Sequence, residues 1–180
     1  MVLSRQPTNS RTVIPQTKTV SSAKRRVSRR KKISVLLADD HAVVRRGLRT
    51  LLELGKCFKV AGQARNGREA VEMAHALRPD VILMDIAMPG LNGFQATQQI
   101  LAANPGAKIL ILSVHTDDEY VQCMISVGAV GYLNKQTSSD VLIEAIHEII
   151  KGHQFFSPTI SKRMTRGGKP GSRRPWTAKI

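Results

Sequence analysis

Five short apolar runs, each followed by a stretch of helical period, constrain this 180-residue chain more than any other feature. The runs are Ile33-Ser34-Val35-Leu36-Leu37-Ala38, Phe58-Lys59-Val60-Ala61-Gly62-Gln63-Ala64, Val81-Ile82-Leu83-Met84, Ile109-Leu110-Ile111-Leu112 and Ala129-Val130-Gly131-Tyr132-Leu133. Most are continuous rather than alternating, as strands buried on both faces of a parallel sheet read. Amphipathic stretches fall at 42–54, 67–77, 93–103, 117–127 and 139–151. In the first, Val43, Val44, Gly47, Leu48, Leu51 and Leu52 are expected on one face, with Arg45, Arg46 and Arg49 largely on the other. Five strand-then-helix repeats with short connections predict an α/β fold, an open doubly wound parallel sheet with right-handed crossovers. Polar residues at strand C-termini then meet in a crevice where the strand order reverses, and chemistry is expected there.

The charge lies outside this pattern. The formal net charge is +15, but residues 1–32 hold ten Lys or Arg and no acid, and residues 161–180 hold seven and no acid. Eleven basic and thirteen acidic residues remain between them, so the middle is about neutral. The first 32 residues carry too few apolar side chains to offset the entropy of ordering, and we expect a disordered basic leader at 1–32. Residues 158–180, with Gly167-Gly168-Lys169-Pro170-Gly171, read as a basic flexible linker or tail. Cys57 and Cys123 have neither metal-type spacing nor the density of a disulfide framework. No apolar run approaches the ~20 residues that span a bilayer, so no membrane role and a cytoplasmic location are expected.

Three strands end in polar residues able to share one site: Asp39-Asp40, Asp85 and Ser113, with Lys135 just past the fifth strand. Crowded carboxylates repel one another unless a cation sits among them, and oxygen-only ligands favour a hard divalent ion, most simply Mg²⁺. A carboxylate beside Mg²⁺, an ammonium and a hydroxyl has what phosphoryl transfer to an aspartate requires. Asp85 is the best nucleophile, because it ends the central run ahead of a tight Met88-Pro89-Gly90 loop.

The ordered set Asp39-Asp40, Asp85-Ile86-Ala87-Met88-Pro89-Gly90, Ser113, and Tyr132 three residues before Lys135 resembles the receiver domains of two-component response regulators. Ala38-Asp39-Asp40-His41 and Arg45-Arg46-Gly47-Leu48 look most like the NarL/FixJ (LuxR-type) subfamily. The resemblance covers 33–157 and implies a flavodoxin-like (CheY-like) fold, a five-stranded parallel sheet in the order 2-1-3-4-5. It implies Asp85 as phosphoacceptor. It also implies a Mg²⁺ site of Asp39, Asp40, Asp85 and the Ala87 carbonyl, phosphoryl binding by Ser113 and Lys135, and a Ser113–Tyr132 switch. On phosphorylation Ser113 would move toward the phosphoryl group, and Tyr132 would turn inward into the space left behind. The implied partner is a sensor histidine kinase, with room for a homodimer through receiver helices. The subfamily's helix-turn-helix domain cannot fit in residues 161–180, so DNA contact is expected only through a C-terminal domain absent from this chain. Gln136 stands where many receivers carry proline, and Ser113 lacks the methyl of threonine.

Bland alternatives exist for each residue. Asp39-Asp40 can be a helix N-cap with acids at the favourable dipole end. Tyr132 can be a core aromatic, and Lys135 a surface charge. The apolar stripe Val141, Leu142, Ala145, Ile146, Ile149 and Ile150 reads first as core packing. His41 and His115 are expected on the rim rather than on a metal. A haloacid-dehalogenase-type phosphatase, the nearest enzyme alternative, needs an acid two residues after its nucleophile, where this chain has Ala87. The chain is therefore expected to be a phosphoacceptor and not a turnover enzyme. Ala87 and His115 would flank the path of an attacking water, and since Ala87 cannot orient it, a long-lived phosphoaspartate is expected.

Overall fold

The computed structural model describes residues 31–114 and 117–157. The expected leader, except for Lys31 and Lys32, the expected tail at 158–180, and His115 lie outside the described residues. Strands β1 (Ile33–Ala38), β2 (Phe58–Ala64), β3 (Val81–Asp85), β4 (Ile109–Ser113) and β5 (Gly131–Asn134) alternate with α1 (Ala42–Leu54), α2 (Gly67–Leu77), α3 (Gly93–Ala103), α4 (Asp118–Val127) and α5 (Ser139–Lys151). All pairings are parallel, and β1 lies between β2 and β3. The chain therefore reverses its direction of travel across the sheet at β1 and β3, which opens a crevice beyond their C-terminal ends.

One expectation needs correction. The sheet has six strands, not five, in the order β2-β1-β3-β4-β5-β6. The sixth, β6 (Phe155–Phe156), pairs Gly131 with Phe155 and Tyr132 with Phe156. Two residues are too short to show any period, so β6 leaves no pattern in the sequence. Its two rings point to opposite sides of the sheet: Phe155 packs with the α1/α5 layer and Phe156 with the α2/α3/α4 layer. Gly131 makes room for it, because a Cβ there would lie 2.8 Å from the Phe155 carbonyl oxygen.

The two apolar layers explain why the strand runs are continuous. Leu36, Ile82, Met84, Ile109 and Ile111 face one layer, while Val35, Leu37, Leu83, Leu110 and Leu112 face the other. β3 and β4 are buried along their whole length, while β2, at the sheet edge, is only half-buried in the middle. In α5, Leu142, Ala145, Ile146 and Ile149 are buried in the second layer, so the apolar stripe is taken up by the core.

Helix α1 departs from the face read in its sequence. Val44, Leu48, Leu51 and Leu52 do face inward, but Val43 is 74% exposed and Arg45 is buried. A guanidinium is tolerated inside because backbone carbonyls at the end of β1 accept its protons, as described below. Among the described residues no helix is long and apolar enough to cross a membrane.

Candidate functional site

The ends of β1 and β3 deliver acids to the crevice, and Lys135 follows β5. β1 stops at Ala38, and Asp39 and Asp40 follow before α1 begins. Neither acid caps that helix: the N-cap position is His41, with no side-chain cap and no acid in the first turn. The bland reading of the acid pair therefore fails. Asp39 is buried, and its Oδ1 accepts the His41 backbone N–H at 2.8 Å. Asp85 ends β3 and is likewise buried. Directly behind it, Gly93 opens α3 and donates its N–H to the Ile86 carbonyl at 2.9 Å. A Cβ on Gly93 would overlap the Asp85 carbonyl oxygen, so the helix can approach this closely only with glycine.

Lys135 joins the strands. Its backbone N–H bonds to the Ser113 carbonyl at 3.0 Å, which anchors the segment after β5 to β4. Its Nζ lies 2.8 Å from Asp39 Oδ2 and 2.6 Å from Asp85 Oδ2. One ammonium thus bridges carboxylates supplied by two strands. Among the described residues, Asp85 Oδ1 receives only a long 3.4 Å bond from the Ala87 N–H.

Asp40 is the carboxylate left over. Its Oδ1 is buried and accepts no hydrogen bond from the described residues. His41 Nδ1 lies 2.6 Å from that oxygen, an ion pair only when the imidazole is protonated. Oxygens of Asp39, Asp40 and Asp85, together with His41 Nδ1, lie within 4.8 Å of one another. A buried acceptor with no donor, among hard oxygen ligands at this spacing, fits a divalent cation such as Mg²⁺.

The electrostatics follow from burial. Desolvation pushes the Asp85 carboxyl up, with the Asp39 charge adding to it, against the lowering effect of Lys135 and the Ala87 N–H. Burial alone would lower Lys135, but its hydrogen bonds to Asp39 and Asp85 outweigh that and hold it above its ordinary value. Both directions favour an added positive charge: Lys135 stays protonated, yet one ammonium does not fully compensate the buried acids.

Ser113 and Tyr132 are both fully buried. The Tyr132 phenol is pushed up to about 12, first by burial, while a hydrogen bond with the Ser113 side chain opposes this. Asp117 and Asp85 are near enough to raise it further. Tyr132 is thus seated inside the sheet's core, hydrogen-bonded to Ser113.

The structure brings Asp39, Asp40, Asp85 and Lys135 into one cluster, sets the Ala87 N–H on Asp85, and places Ser113 with Tyr132 on the adjoining strands. Sequence reasoning missed Arg45, which it put on the outer face of α1, and Gly93. The signal for Gly93 was available as a glycine at a helix start close behind an aspartate that ends a strand.

A 2-1-3-4-5 parallel core with carboxylates gathered at its topological switch point defines a flavodoxin-like α/β protein with an acidic crevice. The chain belongs to the response regulator receiver domain family, whose profile matches residues 35–147. It is 37% identical over 135 residues to the transcriptional regulatory protein DegU of Brevibacillus brevis, covering 75% of this chain and 57% of that protein. It is 38% identical over 132 residues to the response regulator UvrY of Escherichia coli strain K12, covering 73% and 61%. In structure it is similar to a LuxR-family response regulator from Aurantimonas sp. SI85-9A1, with TM-score 0.72, 31% identity, and coverage of 76% of this chain and 97% of the other. The signal receiver domain of a NarL protein from Mycobacterium tuberculosis superposes with TM-score 0.66 at 31% identity, covering 68% and 99%. The chain spans about three-fifths of the length of the curated relatives it matches.

Proposed function

We propose that residues 33–157 form a phosphorylatable receiver that takes a phosphoryl group from a sensor histidine kinase onto Asp85. The observation that carries this reading is the Lys135 ammonium bridging Asp39 and Asp85 beside the undonated Asp40 Oδ1. Asp39, Asp40, Asp85 and the Ala87 carbonyl would hold Mg²⁺. When bound, that ion supplies positive charge to the phosphoryl oxygens.

The remaining work falls to the chain. An Asp85 carboxylate oxygen attacks phosphorus; the P–O bond forms as the donor's P–N bond breaks, and the leaving imidazole keeps the electron pair and takes a proton from solvent. Asp85 Oδ1 suits the attack, since only the long Ala87 bond holds it. Lys135 exchanges its bond to Asp85 Oδ2 for one to a phosphoryl oxygen, with no proton transfer required of it. The Ser113 hydroxyl donates to another phosphoryl oxygen, which rearranges its hydrogen bond with Tyr132. That exchange is the proposed switch, because Tyr132 is the residue against which β6 pairs. Ala87 offers no group to orient water, which supports a slowly hydrolysed phosphoaspartate and a regulatory rather than a turnover role.

The expected output is control of transcription through a DNA-binding domain, as the names of the relatives suggest. The flanking segments, 1–32 and 158–180, are assigned as basic leader and linker, and a homodimer is compatible with the receiver. Incubation with a small acyl phosphate and Mg²⁺ should add about 80 Da to the intact mass, and Asp85→Asn should abolish the gain. Phosphorylation that persists in Asp85→Asn would refute the assignment.

A further inference from the structure

α1 carries three arginines within five residues, and they meet different fates. Arg46 is exposed, and Arg49 pairs with Glu53 on the helix surface at 2.9 Å. Arg45 is buried. Its Nη1 donates to the Asp39 carbonyl at 2.6 Å and to the Asp40 carbonyl at 3.0 Å. The partners of this buried cation are thus main-chain oxygens of the two acids, not their carboxylates.

That choice has consequences for the pocket. A guanidinium on two successive carbonyls fixes both peptide planes, and with them the directions in which the Asp39 and Asp40 side chains leave the backbone. Fixed charge behind the loop also offsets the repulsion among the acids while leaving their carboxylate oxygens uncovered. Lys135 cannot do this, because it stabilises Asp39 and Asp85 by occupying one oxygen of each. Asp40, whose buried Oδ1 has no donor among the described residues, is tied to Arg45 through its main-chain carbonyl.

We propose that Arg45 is a positioning residue for the acidic site, holding the Asp39-Asp40 backbone so that Asp40 presents a free oxygen to a divalent cation. This rests on the pocket holding Mg²⁺. An arginine that merely staples α1 to β1 would contribute to stability and leave the cation affinity alone.

The two roles separate by titrating Mg²⁺ into the folded protein by calorimetry, with urea unfolding measured in metal-free buffer alongside. Arg45→Met should weaken Mg²⁺ binding by about tenfold or more, the range in which groups supporting metal ligands act, and Arg45→Lys should recover part of the loss. Phosphorylation of Arg45→Met by acyl phosphate should be slow at low Mg²⁺ and approach the parent rate when Mg²⁺ saturates. Ser34→Ala, at the far end of the sheet, is the control: it should lose stability and keep the parent affinity. If Arg45→Met is hard to purify, Arg45→Gln and Arg45→Lys carry the same comparison. A folded Arg45 variant whose Mg²⁺ affinity stays within about twofold of the parent, below that range, overturns the proposal. Failure of the parent to bind Mg²⁺ would instead remove the reading of the pocket on which it rests.

Discussion

Asp80 stands immediately before β3 and Asp85 ends it, so the two carboxylates mark opposite poles of the same strand. Asp80 Oδ2 accepts the Ser34 N–H at 2.7 Å and the Ser34 hydroxyl at 2.6 Å, while the Asp80 N–H returns a bond to the Ser34 carbonyl at 2.9 Å. These donors hold its carboxyl below the ordinary aspartate range. Asp85 is pushed the other way by burial. At the entry pole the backbone and one serine satisfy a single acid, and the result is a clip between β1 and β3. At the exit pole, carboxylates crowd around one ammonium, and an acceptor is left without a donor. The difference teaches that an acid at a strand end is settled when backbone and hydroxyl donors surround it, and left with unbalanced charge when other acids do.

Perturbing each pole in turn tests this contrast. The largest effect is expected from Lys135→Met, which removes the only ammonium bonded to both Asp39 and Asp85 among the described residues. The rate of phosphorylation by a small donor should fall about 10²–10³-fold, the usual loss for one preorganised charge-stabilising donor, while Ser34→Ala leaves that rate unchanged. Next is Gly93→Ala, whose methyl would overlap the Asp85 carbonyl oxygen. Overpacking against the backbone should cost about 3 kcal/mol in urea unfolding and displace Asp85, so phosphorylation should drop as well.

Asp80→Ala is expected to lose about 1–2 kcal/mol of stability with phosphorylation kinetics intact, as for a partly exposed carboxylate with two short hydrogen bonds. Equal loss of phosphorylation in this variant would show that the two poles are not independent. The smallest effect concerns pH. The folded pKa of Asp80 lies below its unfolded value, so its stabilisation is complete above the unfolded pKa and disappears as pH falls through the folded one. Ser34→Ala removes the Ser34 hydroxyl that bonds Asp80 Oδ2 and should therefore flatten the acid limb of stability measured by urea unfolding between about pH 5 and pH 2. An unchanged slope would show that the clip does not set the Asp80 pKa.

Local periodicity carries most of the fold. The bounds of α1, α2, α3 and α5 coincide with the amphipathic stretches read from the chain, and β3 and β4 each extend only one residue beyond their apolar runs. β5 starts at Gly131, two residues later than its apolar run: Ala129 still bonds back to the Met124 carbonyl of α4, and Val130 is the residue at which the chain enters the sheet, bonding to the Ile109 carbonyl and accepting the Phe155 N–H. The residues of the acidic cluster are also legible, since their types and their places at strand ends are local facts. Arg45 is not: among its neighbours its charge argues for the solvent side, and only the two carbonyls beyond the end of β1 make burial tolerable.

What the chain alone determined is therefore the α/β order, the two-sided burial of the central strands and the identity of the acids and lysine that meet at the crevice, because each follows from period and position. The tertiary structure decided which carboxylate is satisfied and which is not, the inward seat of Tyr132 against Ser113, the added strand β6 and the burial of Arg45. Most of these depend on groups brought together from distant positions; Arg45 lies only five and six residues from its acceptors, but whether it meets them depends on how α1 packs on the end of β1.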